Sequence, residues 1–418
     1  MSRRLRRRTL LIATSAAALG GAYAVRPADR GGPHNPYFAA LSRALKRAGI
    51  AQPVLVIDRR RLQHNIDAVR TTLAPSGLSL RLVVKSLPAT ALLEAIAEPL
   101  GVTRYMVFNG PMLHELARKG AAADLLLGKP LPVQAAEHFY IVQRAAAQPP
   151  ADPQWLIDTH ERLQQYRGLA RRLGRSLRIN FEIDVGLHRG GFTSPTELAR
   201  AVELAGPECT VTGLMGYDAH VPQMPSTASA YQDSQECYRR CADVLRSKRP
   251  ATALTLNAAG SPTYQLHTQH TVANEVSIGS AFLKPADFDL STLQHHVPAV
   301  FIATPVLKAL PRTEIPGLEP LTGLRRLIDV NTAQAFFIYG GHWLARPESP
   351  PGLQWSDLYG RSSNQELLMG SASIDLKPDD FIYFRPTQSE AVLLQFGPLC
   401  LFDGEQITAR WQPFVVSA

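Results

Sequence analysis

The sequence predicts an α/β protein, a TIM-like (β/α)8 barrel followed by a smaller C-terminal β domain. Two observations support the barrel: short apolar runs of strand length recur between residues 54 and 256, and helical patterns or polar loops follow them. A third observation marks the second domain, because from residue 295 apolar and polar residues alternate between Pro/Gly clusters. With 418 residues, the chain is long enough for both domains.

The barrel is predicted over residues 37–285, with eight strands. These strands cover residues 54–57, 82–84, 105–108, 125–127, 155–157, 179–183, 211–215 and 254–256. Amphipathic patterns between them predict helices at residues 61–73, 89–97, 111–119, 195–205 and 233–246. Thr193-Ser194 is typical of a helix N-cap and predicts the start of the helix at 195.

The C-terminal β domain is predicted over residues 295–418, and residues 37–55 are candidates to join it. Alternating apolar residues predict its strands at residues 299–306, 327–330, 335–339, 380–384, 391–396 and 407–411.

The net charge of +9 does not indicate a nucleic-acid partner. Five of these charges belong to arginines within the first eight residues, and no later basic cluster alternates with aromatic residues.

The N-terminal residues 1–24 predict an export signal, with a basic stretch, an Ala-rich apolar stretch and a small-x-small site at Ala22-Tyr23-Ala24. Arg7-Arg8-Thr9-Leu10-Leu11 resembles a twin-arginine signal, so we expect a periplasmic location. The apolar stretch is too short to span a bilayer comfortably, and no stable membrane span is expected beyond it. An uncleaved signal that anchors the protein to the membrane is the alternative.

Lys85 is the strongest candidate for covalent chemistry. It follows the apolar run Leu82-Val83-Val84, and a lysine at a barrel strand end is partly desolvated, which favours the neutral amine that forms a Schiff base. Taken alone, the same pattern also fits a solvated lysine.

The residues around Lys85 resemble the fold-type III pyridoxal-phosphate enzymes. The segments 54–66 and 80–86 are similar to the beginning of that fold, in particular to the D-threonine aldolase and D-serine dehydratase branch, with alanine racemase more distant. The resemblance runs from about residue 37 to the C-terminus. It implies that pyridoxal 5′-phosphate is the cofactor and that Lys85 forms the internal aldimine.

Four further blocks extend the resemblance. Segment 182–192 resembles the motif whose arginine, here Arg189, bonds the phenolic oxygen of the cofactor. In segment 213–220, Tyr217 matches the aromatic residue that stacks on the pyridine ring. His220 is either an acid or base on the substrate side or an ordinary loop histidine.

Two loops resemble the family's phosphate-binding loops. Glycines there allow backbone N–H groups to approach phosphate oxygens, and hydroxyl groups donate as well. The residues that match are Gly260, Ser261, Thr263, Gly279 and Ser280.

Two departures limit what the resemblance implies. Ser277 stands where alanine racemase has an arginine against the pyridine nitrogen. Gln388 replaces the histidine that binds a divalent metal ion in the aldolase and dehydratase branch, and Glu390 stands at the second ligand position. Glu390 is able to ligate a hard cation through oxygen, but a glutamine carbonyl is a poor substitute for imidazole toward zinc.

The resemblance therefore implies a pyridoxal-phosphate-dependent lyase acting on small, D-configured amino acids, of aldolase or dehydratase type. Lys85 is the expected acid or base on one face of the substrate. An amino-acid racemase is the second hypothesis, and a non-catalytic pyridoxal-phosphate-binding protein is the third. The family also implies a homodimer.

Overall fold

The computed structural model describes residues 26–145, 151–249, 253–312, 314, 317, 328–356, 359–390 and 392–415. The predicted signal at residues 1–24 lies outside them. The chain divides into two compact units. The barrel unit comprises Ile57–Val300, Thr387–Leu399 and Arg410–Ala418, and the sheet unit comprises Met1–Val56, Phe301–Pro386 and Cys400–Ala409. The segment Thr387–Leu399 thus groups with the barrel, although it lies in the range assigned to the β domain from the sequence.

The barrel unit contains a sheet of eight parallel strands that follow one another in chain order, which confirms the predicted fold class. An isolated parallel bridge between Leu126 and Gln154 brings its two outer strands together, so the barrel is nearly closed. Its strands are β2 (Ser79–Val83), β3 (Arg104–Val107), β4 (Asp124–Leu127), β5 (Trp155–Ile157), β6 (Leu177–Glu182), β7 (Cys209–Gly216), β8 (Thr255–Ala258) and β9 (Glu275–Ile278).

Helices connect these strands and start at polar caps. Side chains of Asp58, Asn109, Thr159, Ser194 and Ser226 each accept a hydrogen bond from a backbone N–H of the first helical turn. The predicted cap at Ser194 is among them. The helices of this unit are α2 (Arg59–Leu73), α3 (Thr90–Leu100), α4 (Gly110–Ala117), α5 (Val133–Ala145), α6 (His160–Leu173), α7 (Pro195–Leu204) and α8 (Thr227–Lys248).

The prediction for one barrel strand was wrong. The predicted strand at residues 54–57 is β1 (Val54–Asp58), which belongs to the other sheet, and β9 is the eighth barrel strand instead. All five residues of β1 are buried, so its apolar pattern fits either sheet equally well. Glu275 and Ser277 of β9 are buried polar residues, and their polarity hid the strand.

A polar network fills part of the barrel interior. The fully buried Arg81 donates hydrogen bonds to both carboxylate oxygens of Glu275, at 2.6 and 3.0 Å, and to Asp124 at 3.0 Å. Asp124 accepts a hydrogen bond from Gln154 at 2.9 Å, and Asn257 donates one to Glu275 at 2.8 Å. Opposite charges and complete hydrogen bonding stabilise these groups away from water.

The sheet unit contains a mixed sheet whose main path runs β13-β14-β11-β10-β1-β16-β17, with β15 pairing to both β10 and β12. Helix α1 (Pro36–Arg47) places Phe38, Leu41 and Leu45 against Phe301 and Tyr383 in its core. The remaining strands are β10 (Val300–Leu310), β11 (Gln334–Tyr339), β12 (Ala345–Ser349), β13 (Gln354–Trp355), β14 (Gln365–Gly370), β15 (Phe381–Pro386), β16 (Leu399–Phe402) and β17 (Ile407–Trp411).

Two predicted strands of the C-terminal region are wrong. Within residues 327–330, position 327 lies outside the described residues, and Val330–Thr332 form a 3-10 turn capped by the Asp329 side chain. Residues 392–398 form turns, because the N–H groups of Val392 and Leu393 both donate to the carbonyl of Ser389. Both side chains are buried, so their apolar character reflects burial without an extended backbone.

In the part of the chain that the structure describes, no helix has both the length and the apolar character that a membrane span requires.

Candidate active site

A cavity of about 690 Å³ opens at the carboxyl ends of the barrel strands. Each of the eight strands contributes a lining residue at or just beyond its last position. In parallel barrels this face carries the reactive groups, and a volume of this size suits a small ligand.

Lys85 lies in this cavity, in the short 3-10 turn Val84–Ser86 that follows β2. Its Nζ donates to Oε1 of Glu390 at 2.6 Å and lies 5.1 Å from the ring centre of Phe108. Oε1 of Glu390 also accepts a hydrogen bond from Ser86 Oγ at 2.9 Å. The amine is therefore held inside the cavity by one carboxylate, while 39% of the lysine side chain remains exposed.

The ion pair shifts the acidity of Glu390. Burial alone would raise the pKa of Glu390, but the Lys85 ammonium and the hydrogen bonds from Lys85 and Ser86 hold that pKa below its ordinary value. Glu390 is thus a carboxylate at neutral pH.

Arg189 and Tyr217 converge in the same cavity from the loops after β6 and β7. The guanidinium carbon of Arg189 lies 4.9 Å from the ring centre of Tyr217. Burial raises the pKa of Tyr217 to about 12, so its hydroxyl stays neutral. The pair offers one aromatic face and one fixed cation to a ligand.

The loops after β8 and β9 place backbone donors and hydroxyls together. Ser261 Oγ accepts hydrogen bonds from the backbone N–H groups of Gly279, at 3.2 Å, and Ala281, at 2.9 Å. Ser280 Oγ donates to Ser86 Oγ at 3.1 Å. A side chain at Gly260 would place its Cβ 2.4 Å from the Tyr217 ring, so any other residue would displace the ring. Such a cluster of N–H and hydroxyl donors suits an anion such as phosphate.

Two predicted site residues do not line the cavity. Thr263 is fully buried, and its Oγ1 donates to Asp218 at 2.6 Å while it accepts from the Gly260 N–H at 3.2 Å. It therefore supports the loop rather than contacting a ligand. His220 is not among the lining residues, and its Nε2 would be 2.9 Å from a Cβ built on Gly186. Among the described residues, its buried Nδ1 has no hydrogen-bond partner.

The positions considered for a metal ion are engaged with protein groups. Gln388 donates through Nε2 to Asp287 Oδ2 at 3.1 Å. Glu390 is paired with Lys85, and no group of three or more His, Cys, Asp or Glu residues in the described part of the chain could hold a metal ion. Cys237 and Cys241 are free thiols, also outside any such group.

Two acidic residues of the cavity were missed as site residues. Asp158 follows β5 directly, and its Oδ1 is buried without a hydrogen-bond partner among the described residues. Glu182 ends β6, and burial raises its pKa while the nearby Arg189 opposes the shift. Their positions at strand ends were the available signal.

One family model matches more than half of the chain. The family is described as alanine racemase, N-terminal domain, and its model matches residues 57–285. Among curated protein sequences, none matches this chain.

Solved structures resemble the chain along most of its length. D-threonine aldolase from Filomicrobium marinum has 15% identity and a TM-score of 0.68, over 87% of this chain and 97% of that one. D-threo-3-hydroxyaspartate dehydratase from Delftia sp. HT23 has 14% identity and a TM-score of 0.68, over 86% and 97%. An alanine racemase from Bacillus anthracis has 13% identity and a TM-score of 0.64, over 87% and 98%. At these identities the likeness establishes the fold alone.

Proposed function

The chain belongs to the alanine racemase N-terminal domain family, and from this membership we propose that it is a pyridoxal-phosphate-dependent lyase acting on small D-amino acids. The observation that carries the proposal is the position of Lys85: the barrel brings its amine, the Arg189 guanidinium, the Tyr217 ring and a cluster of N–H and hydroxyl groups into a single cavity. Aldolase and dehydratase are the names carried by two of the structures that resemble it.

The residues of the cavity fit the cofactor group by group. Lys85 supplies the amine, and Ser261, Ser280 and the glycine loops supply donors for the phosphate. Arg189 supplies a cation for the phenolic oxygen, and Tyr217 supplies a ring for stacking. The glycine at position 260 is the only residue type that leaves the Tyr217 ring in place.

When bound, pyridoxal phosphate supplies an aldehyde that condenses with amines and a conjugated ring that withdraws electrons from a bond to the substrate Cα. The protein decides which bond is affected. Lys85 Nζ lines the cavity and would carry a proton to or from the substrate, and Tyr217 with Arg189 would hold the ring of the cofactor. The loops after β8 and β9 would hold its phosphate.

Ser277 favours a lyase over a racemase. Its Oγ is buried and accepts a hydrogen bond from Asn257 Nδ2 at 2.8 Å, so this position has no cation that could face the pyridine nitrogen. The electronic tuning that the resemblance associates with alanine racemase is therefore missing from this residue.

Two measurements test the proposal. Borohydride should trap the cofactor on Lys85, as read by mass spectrometry, and Lys85→Ala should abolish both trapping and turnover. Lys129→Ala removes a second lysine of the same cavity and is the matched control, in which trapping persists. A protein that binds no cofactor, or traps it on Lys129, contradicts the proposal.

Turnover of three candidate substrates then identifies the reaction. Glycine from D-threonine identifies an aldolase, and pyruvate from D-serine identifies a dehydratase. L-alanine from D-alanine would replace the lyase by a racemase. Cofactor binding without turnover of any of these substrates would favour the non-catalytic protein.

We further propose that the protein is exported by its N-terminal twin-arginine-like signal and that it works as a homodimer. The first proposal rests on residues 1–24 and the second on the family resemblance. Fractionation with N-terminal sequencing after residue 24 checks export, and sedimentation analysis checks the dimer.

A further inference from the structure

We infer that this chain operates without a bound divalent metal ion and that Glu390 serves instead as a positioning residue for the Lys85 amine. The inference rests on the proposed function, which it deepens. It concerns the two positions, Gln388 and Glu390, at which the resembling aldolases and dehydratases would bind their metal.

The carboxylate of Glu390 is already committed to protein donors. One oxygen, Oε1, accepts hydrogen bonds from Lys85 Nζ at 2.6 Å and from Ser86 Oγ at 2.9 Å. A divalent ion bound to this oxygen would displace both donors, and in the cofactor-free protein it would lie beside an ammonium, which repels it. The cation that Glu390 binds is therefore the lysine.

Gln388 is engaged in a different way. Its amide Nε2 donates to Asp287 Oδ2 at 3.1 Å, and the backbone N–H of Asp287 donates to the carbonyl of Thr387 at 3.1 Å. Asp287 thus contacts both Thr387 and Gln388. What Gln388 retains for a metal is one amide oxygen, whereas a transition metal prefers imidazole or thiolate.

The same contacts give Glu390 a positive role. A chain of hydrogen bonds runs from Ser280, through Ser86, to Glu390 and Lys85, with Ser280 Oγ 3.1 Å from Ser86 Oγ. Ser280 belongs to the loop that we assign to the phosphate. The chain therefore links the phosphate end of the site to the reactive amine and fixes Nζ relative to that end.

Metal analysis of the holoenzyme is the first test. The full-length protein, loaded with cofactor and dialysed against EDTA, should contain less than a tenth of an equivalent of divalent metal and should keep its turnover. Addition of Mn²⁺ or Zn²⁺ should not raise the rate. A retained equivalent of metal, or turnover restored by added metal, would overturn the inference.

Substitution of Glu390 is the second test, and its readout is cofactor trapping on Lys85 as a function of pH. Loss of the negative charge in Glu390→Gln favours the neutral amine, so the midpoint of trapping should move to lower pH by about one unit. Glu390→Asp keeps the charge and should restore most of the original midpoint. Glu203→Gln is the matched control, since Glu203 forms an exposed ion pair with Lys248 far from the cavity.

The outcomes separate this inference from the proposed function. An unchanged midpoint in Glu390→Gln removes the positioning role, even while trapping on Lys85 upholds the function. Absence of trapping in the wild-type holoenzyme overturns both.

Discussion

Arg81 and Lys85 are two cations four residues apart in the chain, and they differ in burial and in the number of their hydrogen-bond partners. Arg81 lies within β2 and is fully buried, and all three of its side-chain nitrogens donate hydrogen bonds, two of them to Glu275 and Asp124 carboxylates. Lys85 lies just beyond β2, half-exposed, with the single carboxylate of Glu390 as its ion-pair partner. A cation surrounded by fixed acceptors is held in one position, whereas a lysine with one partner at an open cavity stays accessible to a ligand.

We therefore expect the buried Arg81 network to contribute to stability, and the partly exposed Lys85 pair at the mouth of the barrel to contribute little to it. The interior network balances its charges, because Arg104 joins Arg81 on Glu275 at 3.1 Å. Two acids with opposite pKa shifts line the mouth: the pKa of Glu182 is raised by burial, and the pKa of Glu390 is lowered by Lys85. Substitutions in the interior and at the mouth should therefore differ clearly in their effect on the free energy of unfolding.

The largest effect is expected for Arg81→Met. It leaves the buried Glu275 and the partly buried Asp124 with less compensation, and we expect a loss of about 3–5 kcal/mol in the free energy of unfolding, measured with urea. Lys85→Met breaks a partly exposed pair and should cost under about 1 kcal/mol. Equal losses in the two variants would erase the distinction between interior and mouth.

A pair of glycine substitutions should have intermediate effects. A Cβ at Gly213 would lie 1.8 Å from the carbonyl oxygen of Thr255, so Gly213→Ala must displace backbone and should cost about 1–3 kcal/mol or more in stability. Gly260→Ala meets the side chain of Tyr217, which can rotate away. It should leave the urea midpoint nearly unchanged and weaken cofactor binding about tenfold, measured by titration. A large loss of stability in Gly260→Ala would show that the loop is part of the core.

The smallest effects concern pH and have opposite signs. The pKa of Glu182 is raised in the folded protein, so its ionised form costs stability at neutral pH and the cost vanishes below the ordinary glutamate value of 4.5. Glu182→Gln should stabilise the protein by under about 1 kcal/mol at pH 7 and by nothing near pH 4.

The pKa of Glu390 is lowered, so its contribution to stability is present above 4.5 and is lost as the pH falls through the lowered value. Glu390→Gln should therefore destabilise at pH 7, by under about 1 kcal/mol, and lose this effect in acid. Urea unfolding of both variants at pH 7 and pH 4 checks the signs, and two effects of the same sign would contradict the assignment of the two environments.

Local patterns were enough to predict the fold class and most barrel strands. Strand periodicity and a helix cap such as Ser194 are encoded over a few residues. The partner of Lys85 could not be derived from such patterns, because Glu390 is 305 residues away and its contact exists only in the folded chain. Strand β9 was missed for a related reason, since Glu275 is polar in sequence and its burial depends on distant partners such as Arg81.

The separation of Lys85 and Glu390 along the chain has a consequence for biosynthesis. At about 5–20 residues per second, a ribosome adds Glu390 roughly 15 to 60 seconds after Lys85. During that interval the nascent barrel carries its lysine without the carboxylate that orders it. The ion pair between Lys85 and Glu390 therefore forms only in the completed polypeptide, and a product truncated before residue 387 should carry Lys85 without its carboxylate partner.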